Sequence, residues 1–299
     1  VKEAKINSKD IKKNDIFFAI KGKRRDGNKF VKQSLMNNAS LAIVNRIQKK
    51  YRIDRQIKVR DTLKFLTEIS KIFRKNIKTK IIAITGSCGK TTLKELLGST
   101  LSKISKVSIS PKSYNNKYGV PLSLFNLNQS DAFGVLEVGM DKKGEIDYLS
   151  KIIKPDISVI TNINYAHAKN FKSIFDIALA KSEIIQNTNV GGCVILNADD
   201  KFFNLHKKLA VKKNLNLVSF GSKNKNSDIK LMNIKKEGRY YRIKIRTKIF
   251  KKDFLISNNF QSNIYNILAA LAVVSVHFNI YKLNKNIFLN FETPKGRGD

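Results

Sequence analysis

The sequence predicts an α/β protein, because short apolar, β-branched runs alternate with helical patterns along the chain. The run at residues 81–85 has no polar alternation, which is typical of a parallel strand covered on both faces. After residue 228 the pattern changes to polar/apolar alternation, which indicates antiparallel strands. We therefore predict a small N-terminal α/β domain, followed by a central domain with a mostly parallel, doubly wound sheet and an added antiparallel hairpin region.

The predicted N-terminal domain covers residues 1–78. Its apolar runs have the length of strands, and the segments between them show helical periodicity. The strands are predicted at 15–20, 41–44 and 57–59, and the helices at 30–38 and 62–73.

The predicted central domain covers residues 79–292. Its buried strands are expected at 81–85, 133–138, 157–161, 194–196 and 217–220, with helices at 91–101 and 174–185. Residues 229–256 read as a hairpin or meander with a turn at Gly238, and an amphipathic helix is expected at 263–276. Residues 293–299 have the composition of a linker.

Length and composition indicate a globular protein. The chain has 299 residues, which suggests about two domains, and its 42% hydrophobic content is enough for a sizeable core. Two cysteines and three histidines are too few for a disulfide framework or a metal cluster, so a reducing, cytoplasmic location is expected. No apolar run approaches the roughly 20 residues needed to cross a bilayer, so no membrane insertion is expected.

The net charge of +35 raises the possibility of a polyanion partner. Most of the cations are lysines scattered through every region, whereas nucleic-acid recognition favours clustered arginines with interleaved aromatics. The charge is therefore interpreted first as solvated surface. A basic, nucleic-acid-binding ATPase remains an alternative from a different functional class.

A glycine-rich segment between a buried strand and a helix is the sharpest functional signal. Glycines allow close backbone approach to phosphate, the amides and helix N-terminus face anionic oxygens, and a lysine reaches the terminal phosphates. Cys88 within it is expected to be a packing residue. The segment consists of Thr85, Gly86, Ser87, Cys88, Gly89, Lys90, Thr91 and Thr92.

Three further residues are candidates, and two of them, Glu137 and His167, stand at the edge of the sheet where ligands bind. Glu137 interrupts an apolar run, so its carboxylate is expected either to ligate Mg²⁺ or to pair with a lysine. His167 follows the next strand, where a lone histidine is otherwise an ordinary surface residue. Lys181 lies on a helix among small residues, and by itself it is one lysine among many.

The ordered motifs of the chain resemble those of the Mur ligase family over essentially its whole length. The motifs are Thr85-Gly86-Ser87-x-Gly89-Lys90-Thr91-Thr92, Tyr114-Asn115-Asn116-x-x-Gly119-Val120-Pro121, Glu137-Val138-Gly139-Met140, Asn162-Ile163-x-x-Ala166-His167, Ala180-Lys181-x-Glu183-Ile184 and Asn197-Ala198-Asp199.

The resemblance implies an ATP-dependent, ADP-forming amide ligase of peptidoglycan precursor synthesis that uses Mg²⁺. Within the family, the motifs are most similar to members that join D-Ala-D-Ala to UDP-MurNAc-tripeptide through an acyl phosphate. These two substrates are the partners it implies, and we expect a monomer without a nucleic-acid partner. A family member that adds a diamino acid to UDP-MurNAc-dipeptide, and a folylpolyglutamate-type ligase, are alternatives within the enzymes.

The resemblance also assigns roles to individual residues. Segment 85–92 would bind ATP, with Lys90 on the phosphates, and Asn263 and Asn266 would meet the adenine. Thr91 and Glu137 would hold a first Mg²⁺, and His167 would help to hold a second. Lys181 matches a lysine that the family carbamylates, which would turn its ammonium into a metal-binding oxygen ligand. The substrate-binding residues implied are Ser8, Asn115 and Asn116.

The resemblance implies a chain incomplete at both ends. The N-terminal UDP-binding domain is expected to lack its first strand, and the family's third, C-terminal α/β domain is expected to be absent. Because that domain binds the incoming amino compound, we expect the 299-residue chain to bind ATP weakly and to show little ligase activity.

Overall fold

The computed structural model describes residues 2–22, 25–165 and 170–294. The chain divides into two compact units. Unit 1 comprises Val1–Ile77 and Pro121–Leu127, and unit 2 comprises Lys78–Val120 and Asn128–Asp299. The short stretch Pro121–Leu127 thus groups with the N-terminal residues, although it lies inside the segment predicted as the central domain.

Unit 1 is a small α/β layer whose strands are all parallel. In its described residues the sheet has the order β1-β2-β3-β4, formed by Ala4–Lys5, Ile16–Phe18, Leu41–Val44 and Gln56–Lys58. Helix α1 is Val31–Met36 and helix α2 is Thr62–Asn76. Asp61 begins α2 by accepting hydrogen bonds from the amides of Leu63 and Lys64.

Unit 2 is built on a large mixed sheet. Its order among the described residues is β13-β12-β11-β10-β9-β8-β5-β7-β6, parallel from β6 to β11 and antiparallel through β12 and β13. The strands are β5 Lys80–Thr85, β6 Val107–Ile109, β7 Phe133–Glu137, β8 Ile157–Ile160, β9 Cys193–Asn197, β10 Asn216–Gly221, β11 Ile229–Glu237, β12 Tyr240–Arg246 and β13 Lys251–Ser257.

Helices cover both faces of this sheet. Helices α3 and α8 pack on each other and on one face, and α5, α6 and α7 pack against the strands from the other side. Helix α8 was predicted to be amphipathic, but it is apolar all round and buried from Asn266 to Val274, because it lies inside the core. The helices on this sheet are α3 Lys90–Leu101, α5 Glu145–Ile153, α6 Ile174–Gln186, α7 Phe203–Lys212 and α8 Ile264–Ser275. Helix α4 is Gly119–Phe125, and most of it belongs to the stretch that groups with unit 1.

The predicted fold class is confirmed. The apolar runs form buried parallel strands, and residues 229–256 form the antiparallel meander, with Gly238 at a positive φ of 59° between β11 and β12. In the described part of the chain, each helix is too short or too polar to cross a lipid bilayer.

The sheet order places the functional residues. Strand β5 lies between β7 and β8, and all three strands are parallel. Their carboxyl ends therefore open on the same edge of the sheet, where open α/β sheets bind ligands. The glycine-rich segment follows β5, Glu137 ends β7, and Asn162 follows β8.

Candidate active site

The segment after β5 is shaped by two glycines in left-handed conformations. Gly86 has a φ of 147°, and a Cβ there would lie 1.9 Å from Oγ1 of Thr161. Gly89 has a φ of 81°, and a Cβ there would lie 2.8 Å from Oδ1 of Asn266. Both positions favour glycine because of their positive φ, and Gly86 does so also because its backbone runs too close to Thr161 for a side chain.

The segment is tied to the residues after β8. The Ser87 amide donates to the Asn162 carbonyl at 2.9 Å, and the Cys88 amide donates to Asn162 Oδ1 at 3.0 Å. Cys88 itself is exposed, so the expectation that it is a packing residue is wrong. The Lys90 ammonium donates to the Gly86 carbonyl at 2.9 Å, so it lies over the segment at the start of α3. The fully buried hydroxyl of Thr85 has no hydrogen-bond partner among the described residues. The Lys90 ammonium and the N-terminus of α3 lie together at the same end of the segment, which is the arrangement of a phosphate cradle.

The Glu137 carboxylate is buried and held at both oxygens. Only 1% of Glu137 is exposed. Oγ1 of Thr91 donates to Oε2 at 2.8 Å, and Nδ2 of Asn115 donates to Oε1 at 2.7 Å. Glu137 forms no ion pair with any residue in 2–22, 25–165 or 170–294. The alternative prediction, a lysine partner for this carboxylate, is therefore not met within those residues.

A Mg²⁺ ion fits this set of donors. A buried carboxylate with only neutral partners is costly, and a cation beside it relieves that cost. Mg²⁺ typically takes one or two protein oxygens together with substrate phosphates and water. Thr91 and Glu137 provide such oxygens beside the cradle. No group of three or more His, Cys, Asp or Glu side chains in the described residues forms a closed metal cage, and this ion does not need one.

Lys181 lies in α6 with 2% of its surface exposed. Two effects lower the pKa of the Lys181 amine from 10.5 to about 7: mainly its burial, and secondly the positive charge of Lys90. Its amine has no hydrogen bond or ion pair with another described residue. At neutral pH a large fraction of this amine is therefore uncharged and nucleophilic.

The two asparagines predicted for adenine lie together at the start of α8. Nδ2 of Asn266 donates to Oδ1 of Asn263 at 3.2 Å. The Asn266 side chain also faces Gly89 of the cradle. The structure thus brings Asn266 to the cradle, with Asn263 one helical turn before it.

The predicted substrate residues have different surroundings. Oδ1 of Asn116 accepts from the amides of Tyr118 and Gly119 at 3.0 Å each, so it helps to start α4. In unit 1, Ser8 is buried and its hydroxyl donates to Gln33 Oε1 at 2.7 Å. A contact of Ser8 with UDP would have to exchange that bond, and its role stays a prediction.

A cavity of about 650 Å³ adjoins the cradle in unit 2. It is lined by Lys90, by the loop with Asn115 and Asn116, and by the segment that leads into α5. Glu183 of α6 fixes the start of α5 by accepting from the amides of Gly144 at 2.8 Å and Asp147 at 2.9 Å.

His167 lies outside the described residues, so its predicted metal role stays a prediction. The structure adds Thr161 and Asn162, which sequence reasoning did not assign to the site. Oγ1 of Thr161 donates to the Cys88 carbonyl at 2.7 Å. Their signal was available, since both follow a buried strand at the carboxyl edge of the sheet.

Comparison with known proteins agrees with this geometry. The family described as Mur ligase middle domain matches residues 84–274, which contain the cradle, Glu137, Lys181 and α8. The chain belongs to the Mur ligase family. A Mur ligase relative named UDP-N-acetylmuramoyl-tripeptide--D-alanyl-D-alanine ligase, from Rickettsia prowazekii, is 37% identical over 228 residues, covering 75% of this chain and 50% of the relative.

Solved Mur ligase structures share the fold. A crystal structure of MurF from Acinetobacter baumannii superposes with a TM-score of 0.86 at 31% identity, over 99% of this chain and 64% of that one. MurF from Thermotoga maritima in complex with ADP gives a TM-score of 0.80 at 27% identity, over 99% of this chain and 67% of that one. The chain spans about half the length of the curated relatives it matches.

Proposed function

We propose that the protein is an ATP-dependent, ADP-forming ligase that joins D-Ala-D-Ala to UDP-MurNAc-tripeptide. One observation carries the proposal: the buried Glu137 carboxylate is held between Thr91 of the phosphate-cradle helix and Asn115 of the predicted substrate loop. A carboxylate placed in this way could hold a metal ion between a bound triphosphate and an acid substrate. The names of the relatives with similar sequences support the same activity.

In the proposed reaction, a carboxylate oxygen of the tripeptide attacks the γ-phosphorus of ATP and the bond to the bridging oxygen of ADP breaks. The amine of D-Ala-D-Ala then attacks the acyl carbon, an amide forms, the amine loses a proton, and inorganic phosphate leaves. Phosphoryl transfer of this kind depends mainly on positioning and on neutralising charge. Lys90 and the backbone amides of the cradle would do both at the terminal phosphates.

Thr91 and Glu137 would hold a first Mg²⁺, and His167 is proposed to help hold a second. When bound, Mg²⁺ supplies positive charge to the phosphate oxygens. The hydrogen bonds from Thr91 and Asn115 fix the direction in which the Glu137 oxygens point, so the carboxylate needs little rearrangement to act as a ligand.

Lys181 is proposed to be carbamylated. Its uncharged amine would add to the carbon of CO₂ and lose one proton, leaving a carbamate with two oxygens. The lowered pKa of the Lys181 amine favours this addition, because a protonated amine has no free electron pair. A carbamate would also replace a positive charge near Lys90 by a negative one.

The remaining roles follow the same proposal. Asn263 and Asn266 would bind the adenine. Their side chains are hydrogen-bonded to each other, and that of Asn266 lies beside Gly89. Asn115, Asn116 and Ser8 would contact the UDP-sugar substrate.

The reaction belongs to peptidoglycan precursor synthesis, and so to cell-wall growth, cell shape and cell division. Its nucleotide-linked substrate and ATP suggest a cytoplasmic site of action, and we propose that the protein acts as a monomer.

Calorimetric binding tests the proposal. We expect the chain to bind a non-hydrolysable ATP analogue only with Mg²⁺, and to bind UDP-MurNAc-tripeptide more tightly than UDP-MurNAc-dipeptide. A preference for the dipeptide would favour the ligase that adds a diamino acid. Failure to bind the nucleotide in the presence of Mg²⁺, or binding that survives Lys90→Ala unchanged, would contradict the proposal.

A further inference from the structure

Lys94 is a fully buried cation that the proposed reaction does not use. It lies in α3, one turn after Lys90, and is 0% exposed. Its ammonium donates to the Ser110 carbonyl at 2.6 Å and to the Lys112 carbonyl, and it pairs with Oε1 of Glu95 at 3.0 Å. A buried ammonium persists only when it is paired and hydrogen-bonded, and here two carbonyls accept from it and a carboxylate balances its charge.

The two carbonyls belong to a strained turn after β6. Lys112 has a φ of 49°, in the left-handed region that residues other than glycine rarely adopt. Such a conformation costs free energy and persists where neighbouring groups enforce it. Lys94 is such a group, because it holds the main chain on both sides of Pro111.

This turn leads into the segment that places Asn115 against Glu137. The Asn115 carbonyl accepts from the Gly139 amide at 2.8 Å, and its side chain donates to Glu137 Oε1. The other carboxylate oxygen is held by Thr91, which is in the same helix as Lys94. Helix α3 therefore orients both oxygens of Glu137, one directly through Thr91 and one through Lys94, the turn and Asn115.

We propose that Lys94 is a positioning residue for the Mg²⁺–nucleotide site: it sets the turn at 110–112 so that Asn115 orients the Glu137 carboxylate. The inference rests on the proposed function, because it concerns the same metal-dependent nucleotide site. A lysine with a purely structural role would instead affect stability and leave metal dependence unchanged.

The test compares Lys94→Met with Lys103→Met in the complete chain. Lys103 follows the same helix and also donates to a carbonyl, that of Ile287 at 2.6 Å, which has no connection to Asn115. Binding of a non-hydrolysable ATP analogue is titrated with Mg²⁺ by calorimetry, and the midpoint of thermal unfolding is recorded for each variant. We expect Lys94→Met to raise the Mg²⁺ concentration for half-maximal binding by about 10-fold or more, as measured for residues that orient metal ligands. Lys103→Met should leave it within about 2-fold of the parent.

A second substitution separates positioning from folding. Lys112→Gly removes the strain at the left-handed position, so the turn needs less support. Adding it to Lys94→Met should recover part of the Mg²⁺ affinity, an effect that a general packing defect would not show. If Lys94→Met does not fold, Lys94→Gln retains hydrogen-bond donors and is titrated instead, with a smaller shift expected.

The outcomes distinguish this inference from the proposed function. Loss of Mg²⁺ affinity at Lys94 but not at Lys103, with recovery by Lys112→Gly, supports the positioning role. An unchanged Mg²⁺ requirement in Lys94→Met or Lys94→Gln, or no recovery by Lys112→Gly, overturns it. If the parent chain itself binds no Mg²⁺–nucleotide, the proposed function fails and the inference fails with it.

Discussion

Glu137 is the residue on which the account of the site depends most. Its two oxygens accept from neutral donors, and its burial leaves a carboxylate poised for a cation. The sequence allowed two interpretations of this carboxylate, a metal ligand or an ion pair with lysine. In the described residues its contacts support the first, because they orient the carboxylate without neutralising it.

The first prediction concerns Glu137→Gln. The amide has the same shape and removes the charge, so we expect the Mg²⁺ requirement for nucleotide binding to rise by at least about 10-fold. Thermal unfolding should change little, because no buried charge remains to be compensated. Magnesium titrations of ATP-analogue binding measure the effect. The matched control is Glu145→Gln, a nearby carboxylate that accepts from the amides of Asp141 and Lys142. An equal shift in both variants would argue against a specific role for Glu137.

The second prediction concerns the pH dependence of Lys181. With a pKa of about 7, a large fraction of the amine is uncharged at pH 7.5, against about one in a thousand for an ordinary lysine. Carbamate formation should therefore be detectable at neutral pH and be lost as the pH falls well below 7, where the amine is protonated. ¹³C-bicarbonate and NMR would detect the adduct, and Lys181→Arg is the control that should lack it. A carbamate that appears only above pH 10, or equally in Lys181→Arg, would refute the assignment.

At the scale of elements, the turn after β5 is fixed by close contacts. We expect Gly86→Ala to destabilise the chain by about 2–4 kcal/mol, because a side chain would combine backbone strain with a clash against Thr161. Gly144→Ala is the control: its φ is 87°, and no atom lies within 4 Å of the added carbon. That variant should lose only about 1–2 kcal/mol from strain.

Chemical denaturation of the two glycine variants measures this difference. Thr161→Ala in the Gly86→Ala background should recover part of the loss, because it removes the hydroxyl that the new side chain meets at 1.9 Å. Equal losses in the two single variants would show that steric contact at Gly86 contributes nothing.

Strands buried on both faces were predictable from the sequence, whereas several partly buried elements were not. Strands β5, β7 and β8 are continuous apolar runs because both faces are covered. Strand β6 was missed, since Val107, Ser108 and Ile109 are all half-buried and carry no such run. Helix α5, which lines part of the cavity, was also not predicted as a separate element.

The site was predictable in part for a similar reason. Glycine spacing indicated the cradle, and a carboxylate inside an apolar run indicated Glu137. Lys94 carries no comparable signal, because a lysine on a helix usually faces solvent. Its acceptors lie 16 and 18 residues further along the chain, and only the packing of α3 against the end of β6 brings them together.

At the scale of the whole molecule, the net charge of +35 is spread over both units. On the meander, Arg242 pairs with Glu237 at 2.8 Å and Asp253 at 3.4 Å, so part of the positive charge is locally balanced. This dispersion favours a solvated surface over a groove dedicated to nucleic acid.

We therefore predict only non-specific binding of polynucleotide. Its dissociation constant at physiological salt should be no lower than about 10⁻⁶ M, and its affinity should fall steeply with added salt. Competition with a fluorescent ATP analogue gives the measurement, and polynucleotide should not displace the analogue. Tight, salt-resistant binding that competes with nucleotide would instead favour the nucleic-acid-binding ATPase.

The central claim is that residues distant in sequence gather around one metal-bound triphosphate. A crystal structure of the chain with Mg²⁺ and a non-hydrolysable ATP analogue tests it most directly. We expect Mg²⁺ bound to Thr91 Oγ1 and a Glu137 oxygen, with the Lys90 ammonium on the terminal phosphates. A nucleotide bound away from the glycine segment, or a metal ion that contacts neither Thr91 nor Glu137, would contradict it.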